Sequence, residues 1–329
     1  MSKRSDGTIS HRRRRQPWPQ DKPFKILSID GGGIKGILPA GILKEIEAEL
    51  SSGDICEYFD MFAGTSTGGI LVIGLSAKET ARDLFDLYIK EGPSIFPKSK
   101  EIYHSLYQGT LHDRRNHDKM VHRVLGKRRF GESICRMVIP AVNQHGEPSM
   151  YKTDHHSDYK RDHAEEMARI ALDTSAAPIY LGGNVSGEEH CIDGGLFANN
   201  PIMAAVVDAI ACYDIHPEQI RVLSIGCGKY HKDLSVKLIN SGIWGWRGDL
   251  LDVMSQLQSH NAIGQAGLLI GRKNILRLNP ELATPIEMDN FKEAAGRLPE
   301  LAKTCFARNK EDIRPFFEQK VDPREKHFS

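Results

Sequence analysis

Several common features are missing from this sequence, and each absence narrows the reading. Six cysteines (Cys56, Cys135, Cys191, Cys212, Cys227 and Cys305) are spread without a single Cys-x-x-Cys pair, so neither a zinc site nor a disulfide framework is indicated. No apolar run approaches the ~18 residues needed to cross a bilayer, the longest candidate lying near residues 70–75, so membrane contact is expected to be peripheral. No secretory-type segment opens the sequence, which makes a reducing cytoplasm the expected compartment. Charge imbalance is lacking too: the formal net charge is +1, and a nucleic-acid partner is not expected. The asymmetry that exists is at the front, where the first 25 residues hold eight basic side chains against two acidic ones.

With 329 residues the chain can bury a substantial core, and one large domain is expected. Residues 1–23 are polar, arginine-rich and broken by Pro17, Pro19 and Pro23, a composition that cannot offset its own ordering entropy, so they are expected to form a disordered basic arm. The run His11-Arg12-Arg13-Arg14-Arg15 would suit anionic lipid headgroups or nucleic acid, with a solvated tail as the plainer reading.

The apolar run Phe24 to Ile29 leads into Asp30-Gly31-Gly32-Gly33-Ile34-Lys35-Gly36, after which Ile37, Leu38, Ile42, Leu43, Ile46 and Leu50 recur at helical spacing. Strand, glycine turn and helix in this order present backbone N–H groups and a helix N-terminus to an anion. Two anions fit. One is a dinucleotide pyrophosphate, since Gly31-x-Gly33-x-x-Gly36 satisfies that fingerprint and Asp54 stands at a suitable distance for a ribose. The other is a transient oxyanion, which requires a nucleophile elsewhere in the chain.

A candidate follows directly. The strand-like run Tyr58 to Ala63 enters Gly64-Thr65-Ser66-Thr67-Gly68-Gly69, and apolar, glycine-rich sequence continues to Leu75 as a buried helix. Gly64-x-Ser66-x-Gly68 between a strand and a helix is the pattern of a nucleophile elbow, although roughly one chance match in six is expected for the motif alone. Residues 79–91 and 113–125 read as amphipathic helices and Cys135 to Asn143 as a strand. The pair His155-His156, with Asp154 and Asp158 beside it, reads as an exposed loop in preference to a metal site. Beyond it come Asp173-Thr174-Ser175-Ala176-Ala177-Pro178 and then Cys191-Ile192-Asp193-Gly194-Gly195, which ends in Asn199-Asn200-Pro201.

Together these pieces resemble the patatin-like phospholipases, which carry a glycine-rich loop, a Gly-x-Ser-x-Gly elbow, a Thr-Ser-Ala-Ala-Pro segment and an Asp-Gly-Gly motif followed by Asn-Asn-Pro. All four occur here in that order, and with Val222 to Gly228 the resemblance spans roughly residues 24–228. It implies a three-layer α/β/α fold around a mostly parallel sheet and a Ser–Asp dyad without histidine. On that basis Ser66 is the expected nucleophile, Asp193 the base, and Gly31, Gly32 and Gly33 the oxyanion-hole donors. Asp30, Lys35, Gly36, Gly64, Gly68, Gly194 and Gly195 are expected to support them. Lys35 stands where the family more often has arginine; it keeps the charge and loses the planar fork. No metal or cofactor is expected to be needed for hydrolysis of the substrate, a membrane phospholipid.

Residues 229–329 are expected to form a helical extension on the same domain. They hold Trp244 and Trp246, suited to a membrane interface, a core or a subunit contact, and a helical segment from Asp249 to Gly271. Leu276-Arg277-Leu278-Asn279-Pro280 and Pro285-Ile286-Glu287-Met288-Asp289 resemble the C-terminal part of CapV-type effectors of bacterial anti-phage (CBASS) systems. That resemblance implies activation by a cyclic dinucleotide, cyclic GMP-AMP foremost, with action at the inner membrane surface and a homo-oligomer as further expectations. The rivals are a hydrolase without nucleotide control, a non-catalytic lipid- or nucleotide-binding scaffold, and a nucleotide-dependent oxidoreductase. The last leaves Ser66 and Asp193 unexplained.

Overall fold

The computed structural model describes residues 14–51, 53–97, 110–230, 240 and 250–328. Its strands are β1 (Gln16–Pro17), β2 (Phe24–Ile29), β3 (Met61–Gly64), β4 (Arg136–Asn143), β5 (Pro148–Lys152), β6 (Asn184–Ser186), β7 (Glu189–Asp193), β8 (Tyr213–Asp214), β9 (Ile220–Ile225) and β10 (Ile275–Leu278). The helices are α1 (Ile37–Glu49), α2 (Thr67–Ser76), α3 (Ala81–Ile95), α4 (Arg115–Leu125), α5 (Met167–Thr174), α6 (Gly195–Ala198), α7 (Ile202–Cys212), α8 (Leu250–Ile270) and α9 (Phe291–Ile313).

Eight strands form the main sheet in the order β10-β9-β2-β3-β4-β7-β6, with β5 also paired to β4. The five strands from β10 to β4 are mutually parallel, while β5, β7 and β6 pair antiparallel. Strand β2 is buried along its whole length, as a central parallel strand covered on both faces must be, and hence reads as an almost unbroken apolar run. Its alternate residues serve different layers. Leu27 and Ile29 enter a core with α1, α2, α3 and α9, whereas Phe24 and Ile26 enter a second core with α7 and α8. This is the three-layer α/β/α architecture expected from the sequence. The segment after residue 228 supplies a strand to the same sheet, since β10 pairs with β9 from Ile275↔Val222 to Leu278↔Ile225. All six cysteines are free and buried.

Two expectations are corrected by packing. Residues 14–23 are part of the fold, where a disordered arm was expected. Strand β1 pairs with β8, and the Trp18 ring lies 4.8 Å from Phe24, 5.6 Å from Tyr213 and 5.6 Å from the Arg136 guanidinium. One large aromatic side chain brings the apolar area that the polar composition lacks. Residues 1–13, including His11 to Arg13, lie outside the described residues, as do Trp244 and Trp246.

The second correction concerns His155 and His156, which are buried. His155 Nε2 is 2.7 Å from Asp208 Oδ2, while Lys152 Nζ and the Tyr159 hydroxyl each donate to Asp208 Oδ1 at 2.5 Å. Burial alone would raise the Asp208 pKa, but Lys152 and His155 outweigh it and hold the carboxyl well below its ordinary range. His155, Asp208 and Cys212 lie close enough to share a metal ion, yet their atoms are already joined to Lys152, Tyr159 and Thr153. The loop is closed by its own network.

Trp18→Ala is expected to lower stability by about 1–2 kcal/mol in urea unfolding, less than for a fully buried aromatic because the residue is only partly buried. An unchanged midpoint would show that residues 14–23 contribute nothing to the fold.

Candidate active site

Ser66 sits in the tight turn from β3 to α2 with φ 55° and ψ −122°, a left-handed backbone that costs a non-glycine residue roughly 1–3 kcal/mol. Its neighbours must be small. A Cβ at Gly68 would overlap the Ile29 carbonyl, and one at Gly64 would overlap the Gly68 carbonyl. The strained turn is held by side chains from elsewhere: Thr174 Oγ1 accepts from the Ser66 amide at 3.1 Å, and Thr65 Oγ1 donates to the Ala198 carbonyl at 2.7 Å.

Asp193 reaches Ser66 through strand register. Val138 pairs with both Ala63 and Lys152, and Val142 with both Pro148 and Ile192, so β5 fills one edge of β4 while β3 and β7 share the other. β3 runs parallel to β4 and β7 antiparallel, so their C-terminal ends face each other across a short stretch of β4. Ser66 lies just beyond one end and Asp193 at the other. The Ser66 hydroxyl donates to Asp193 Oδ2 at 2.5 Å, and the Gly195 amide donates to Oδ1 at 2.6 Å. The segment after α5 braces both partners, because the Ala176 carbonyl accepts from the Asp193 amide at 2.9 Å while Thr174 holds Ser66. Gly194 packs against Pro140, where a side chain would collide with the β4 backbone.

Burial pushes the Asp193 carboxyl up to about 6, and the hydrogen bonds from Ser66 and Gly195 pull the other way without offsetting it. A carboxylate so placed is ionised at neutral pH and still basic enough to take a proton from a hydroxyl.

The glycine turn divides its duties. The Gly31 amide is committed to the Asn199 carbonyl at 2.9 Å, so it is not a free oxyanion donor, contrary to expectation. The amides of Gly32, Gly33 and Thr67 donate to no described residue, and all three residues line the cleft that holds Ser66 and Asp193. Gly33 has φ 58° and lies against the Met288 backbone, so only glycine fits there. Gly36 packs on Thr67 with no room for a Cβ.

Asp30 and Lys35 face away from this cleft. Asp30 forms a bidentate ion pair with Arg277 of β10, Nη1 to Oδ1 at 2.8 Å, and also accepts from the Ser259 hydroxyl at 3.2 Å. Lys35 Nζ lies 3.7 Å from Asp252 of α8, beside a neighbouring cavity. Asp54 caps the turn that follows it, accepting from the Cys56 amide, and pairs with Lys78 at 2.5 Å. Its position gives no support to a ribose contact. Asn199, Thr174 and Arg277 are the positioning residues whose partners the sequence reading did not identify. The Asn-Asn-Pro and Thr-Ser-Ala-Ala-Pro motifs marked the first two by place alone.

The cleft itself is apolar, walled by side chains such as Ile70, Ile95, Phe96, Met120, Leu181 and Met254. An acyl chain matches it. A hydroxyl bonded to a carboxylate, uncommitted amides beside it and an apolar channel leading to both make an arrangement competent for acyl transfer.

A carboxyl whose pKa is raised from 3.8 to about 6 on folding favours the folded state only while protonated, so stability is lost as pH rises through that window. Asp193→Asn is therefore expected to stabilise the fold at pH 7.5 by on the order of 1–3 kcal/mol, with the gain disappearing toward pH 4. Equal stability of the two forms at both pH values in urea titrations would rule out a strained buried carboxylate.

Comparison with known proteins bears on the same span. Residues 27–206 match the model of the patatin-like phospholipases. A cGAMP-activated phospholipase of Vibrio cholerae is 30% identical, the alignment covering 87% of this chain and 92% of that protein. Another, from Escherichia coli, is 28% identical with 92% and 95% covered. Patatin-like protein 2 of Arabidopsis thaliana is 32% identical over 70% of this chain and 66% of its own length. Since the family model takes in more than half of the chain, from β2 through the Ser66 elbow and the Asp193 strand end, this protein belongs to the patatin-like phospholipase family.

Proposed function

We propose that this protein is a lipid acyl hydrolase that cleaves fatty-acyl esters of membrane phospholipids, with Ser66 as nucleophile and Asp193 as its base. The observation that carries this reading is the 2.5 Å hydrogen bond from Ser66 to a buried Asp193 at the base of an apolar cleft. Ser66 Oγ attacks the ester carbonyl carbon as its proton passes to Asp193 Oδ2. The oxyanion of the tetrahedral intermediate is received by the Gly32 and Gly33 amides, with Thr67 at the positive end of α2 as a further donor. Collapse expels the lysolipid alkoxide, which takes the proton from Asp193, and leaves an acyl-enzyme. Water then attacks the acyl carbon, Asp193 accepts its proton, and the fatty acid departs as Ser66 regains a hydrogen. One carboxylate thus serves alternately as base and acid, a role favoured by a pKa of about 6. Each step is complete without a metal or redox group.

Peripheral contact with the bilayer is part of the same reading. Ile179, Leu196, Leu250 and Met254 remain between 38% and 57% exposed, and they lie on or beside the segments that wall the cleft. No helix among the described residues is long and apolar enough to cross a membrane. A cyclic dinucleotide as activator is supported by the bacterial relatives named for cGAMP activation, whose alignments run through most of this chain. The scaffold reading gains nothing from a site in which nucleophile and base are both in place.

The test is fatty-acid release from mixed phospholipid vesicles, with and without cyclic GMP-AMP. Wild type is expected to release fatty acid, more so with the nucleotide, and Ser66→Ala and Asp193→Asn to release none above background. Release by Asp193→Asn at the wild-type rate would remove the dyad. In wild type kcat/KM is expected to fall tenfold per pH unit below about pH 6, where Asp193 becomes protonated; a flat profile from pH 5 to 8 would assign the base to another group.

A further inference from the structure

A second cavity, of about 510 Å³, adjoins the Ser66 cleft and shares Asn199, Ser255 and Met288 with it. Its size falls within the roughly 300–1,000 Å³ typical of small-molecule sites. Its chemistry differs from that of the acyl cleft. Four basic side chains, Lys35, Lys229, Arg272 and Arg277, face it against two acidic ones, Asp30 and Asp252. Arg277 is spent on Asp30, and Lys35 is drawn to Asp252. Lys229 and Arg272 form no ion pair or side-chain hydrogen bond with any described residue. Two cations with no charged partner among the described residues, one after β9 and one after α8, thus meet at one concavity, with the half-buried Tyr230 ring beside them.

Resting on the nucleotide-activated reading above, we infer that this cavity binds a bis-phosphodiester of the cyclic-dinucleotide class, and that α8 carries its effect to the Ser66 cleft. A cyclic dinucleotide has two phosphodiesters, both ionised at neutral pH, and two bases. The pair Lys229 and Arg272 answers the charge, and Tyr230 offers a face for stacking. The apolar acyl cleft offers no such cations. Helix α8 stands between the two spaces: Leu251, Met254 and Gln258 line the cleft, while Asp252, Gln256 and His260 line the cavity. It also grips the turn that occupies the Gly31 amide, since Gln258 accepts from the Asn199 amide at 3.3 Å and donates to the Leu196 carbonyl at 2.8 Å. A ligand that binds one placement of α8 more tightly than another shifts the cleft with it, and only by that difference in affinity.

A phospholipid headgroup also presents a phosphodiester, so the experiment separates the two sources. Binding of cyclic GMP-AMP and of glycerophosphoglycerol to the full chain is measured by calorimetry for wild type and for Lys229→Glu/Arg272→Glu. Thermal unfolding and fluorophosphonate labelling of Ser66 without ligand report on folding and the intact site. The double variant is expected to bind the nucleotide at least about 30-fold more weakly and to lose nucleotide-stimulated fatty-acid release, with labelling unchanged. An 8-azido cyclic dinucleotide is expected to photolabel wild type within residues 226–230 or 250–274, a result that does not depend on the variant folding. If wild type binds and responds to the nucleotide while the folded double variant does so equally, or the photolabel lands elsewhere, the cavity assignment is wrong and the activator reading stands. Absence of nucleotide binding by wild type removes the activator reading and this inference together. Binding of glycerophosphoglycerol alone would make the cavity a headgroup site.

Discussion

Strand β4 gives one of its edges to two strands that run toward each other, and the gap between their ends is where a hydroxyl and a carboxylate meet. Neither β3 nor β7 could be shifted by one residue without turning its side chains to the opposite face of the sheet, so register is a chemical constraint here as well as a structural one. The bracing follows from the same geometry. Where Ser66 and Asp193 are brought together at the ends of two strands, the segment Thr174 to Ala176 braces the junction by accepting from both backbone amides.

The strain at this junction is concentrated in the two groups proposed as nucleophile and base. Ser66 occupies a backbone conformation that glycine would adopt more easily, and Asp193 keeps a carboxylate where burial opposes its charge. The surrounding structure bears these costs through elements that need no such compromise: a fully buried β2, the all-buried α2 and two cores on either side of the sheet. Stability and competence are in tension at two residues and in agreement nearly everywhere else.

The fold and the central pair were largely legible in the sequence because their signals are local. The run Phe24 to Ile29 declares a strand buried on both faces, and Gly64-x-Ser66-x-Gly68 declares a turn in which a Cβ at either flank would meet backbone. What escaped was decided by partners distant in the chain. Trp18 belongs to the core because Tyr213 and Arg136 await it, and His155 is buried because Asp208 and Lys152 neutralise its loop. Three adjacent glycines look interchangeable as amide donors, yet the Asn199 carbonyl removes Gly31 from the set. Asp30 and Lys35, charged neighbours of that turn, were expected to support the dyad; the structure pairs Asp30 with Arg277 and Lys35 with Asp252.

The turn from Asp30 to Lys35 stands between the acyl cleft and the neighbouring cavity. Gly32 rests against Cys227 so closely that a methyl group would not fit, and residues of the turn contribute to the walls of both the acyl cleft and the neighbouring cavity. At Gly31, Gly32 and Gly33 there is no side chain to absorb a displacement by changing rotamer, so pressure on one side arrives on the other as movement of the amides themselves. Signals that cross such a wall depend on peptide geometry.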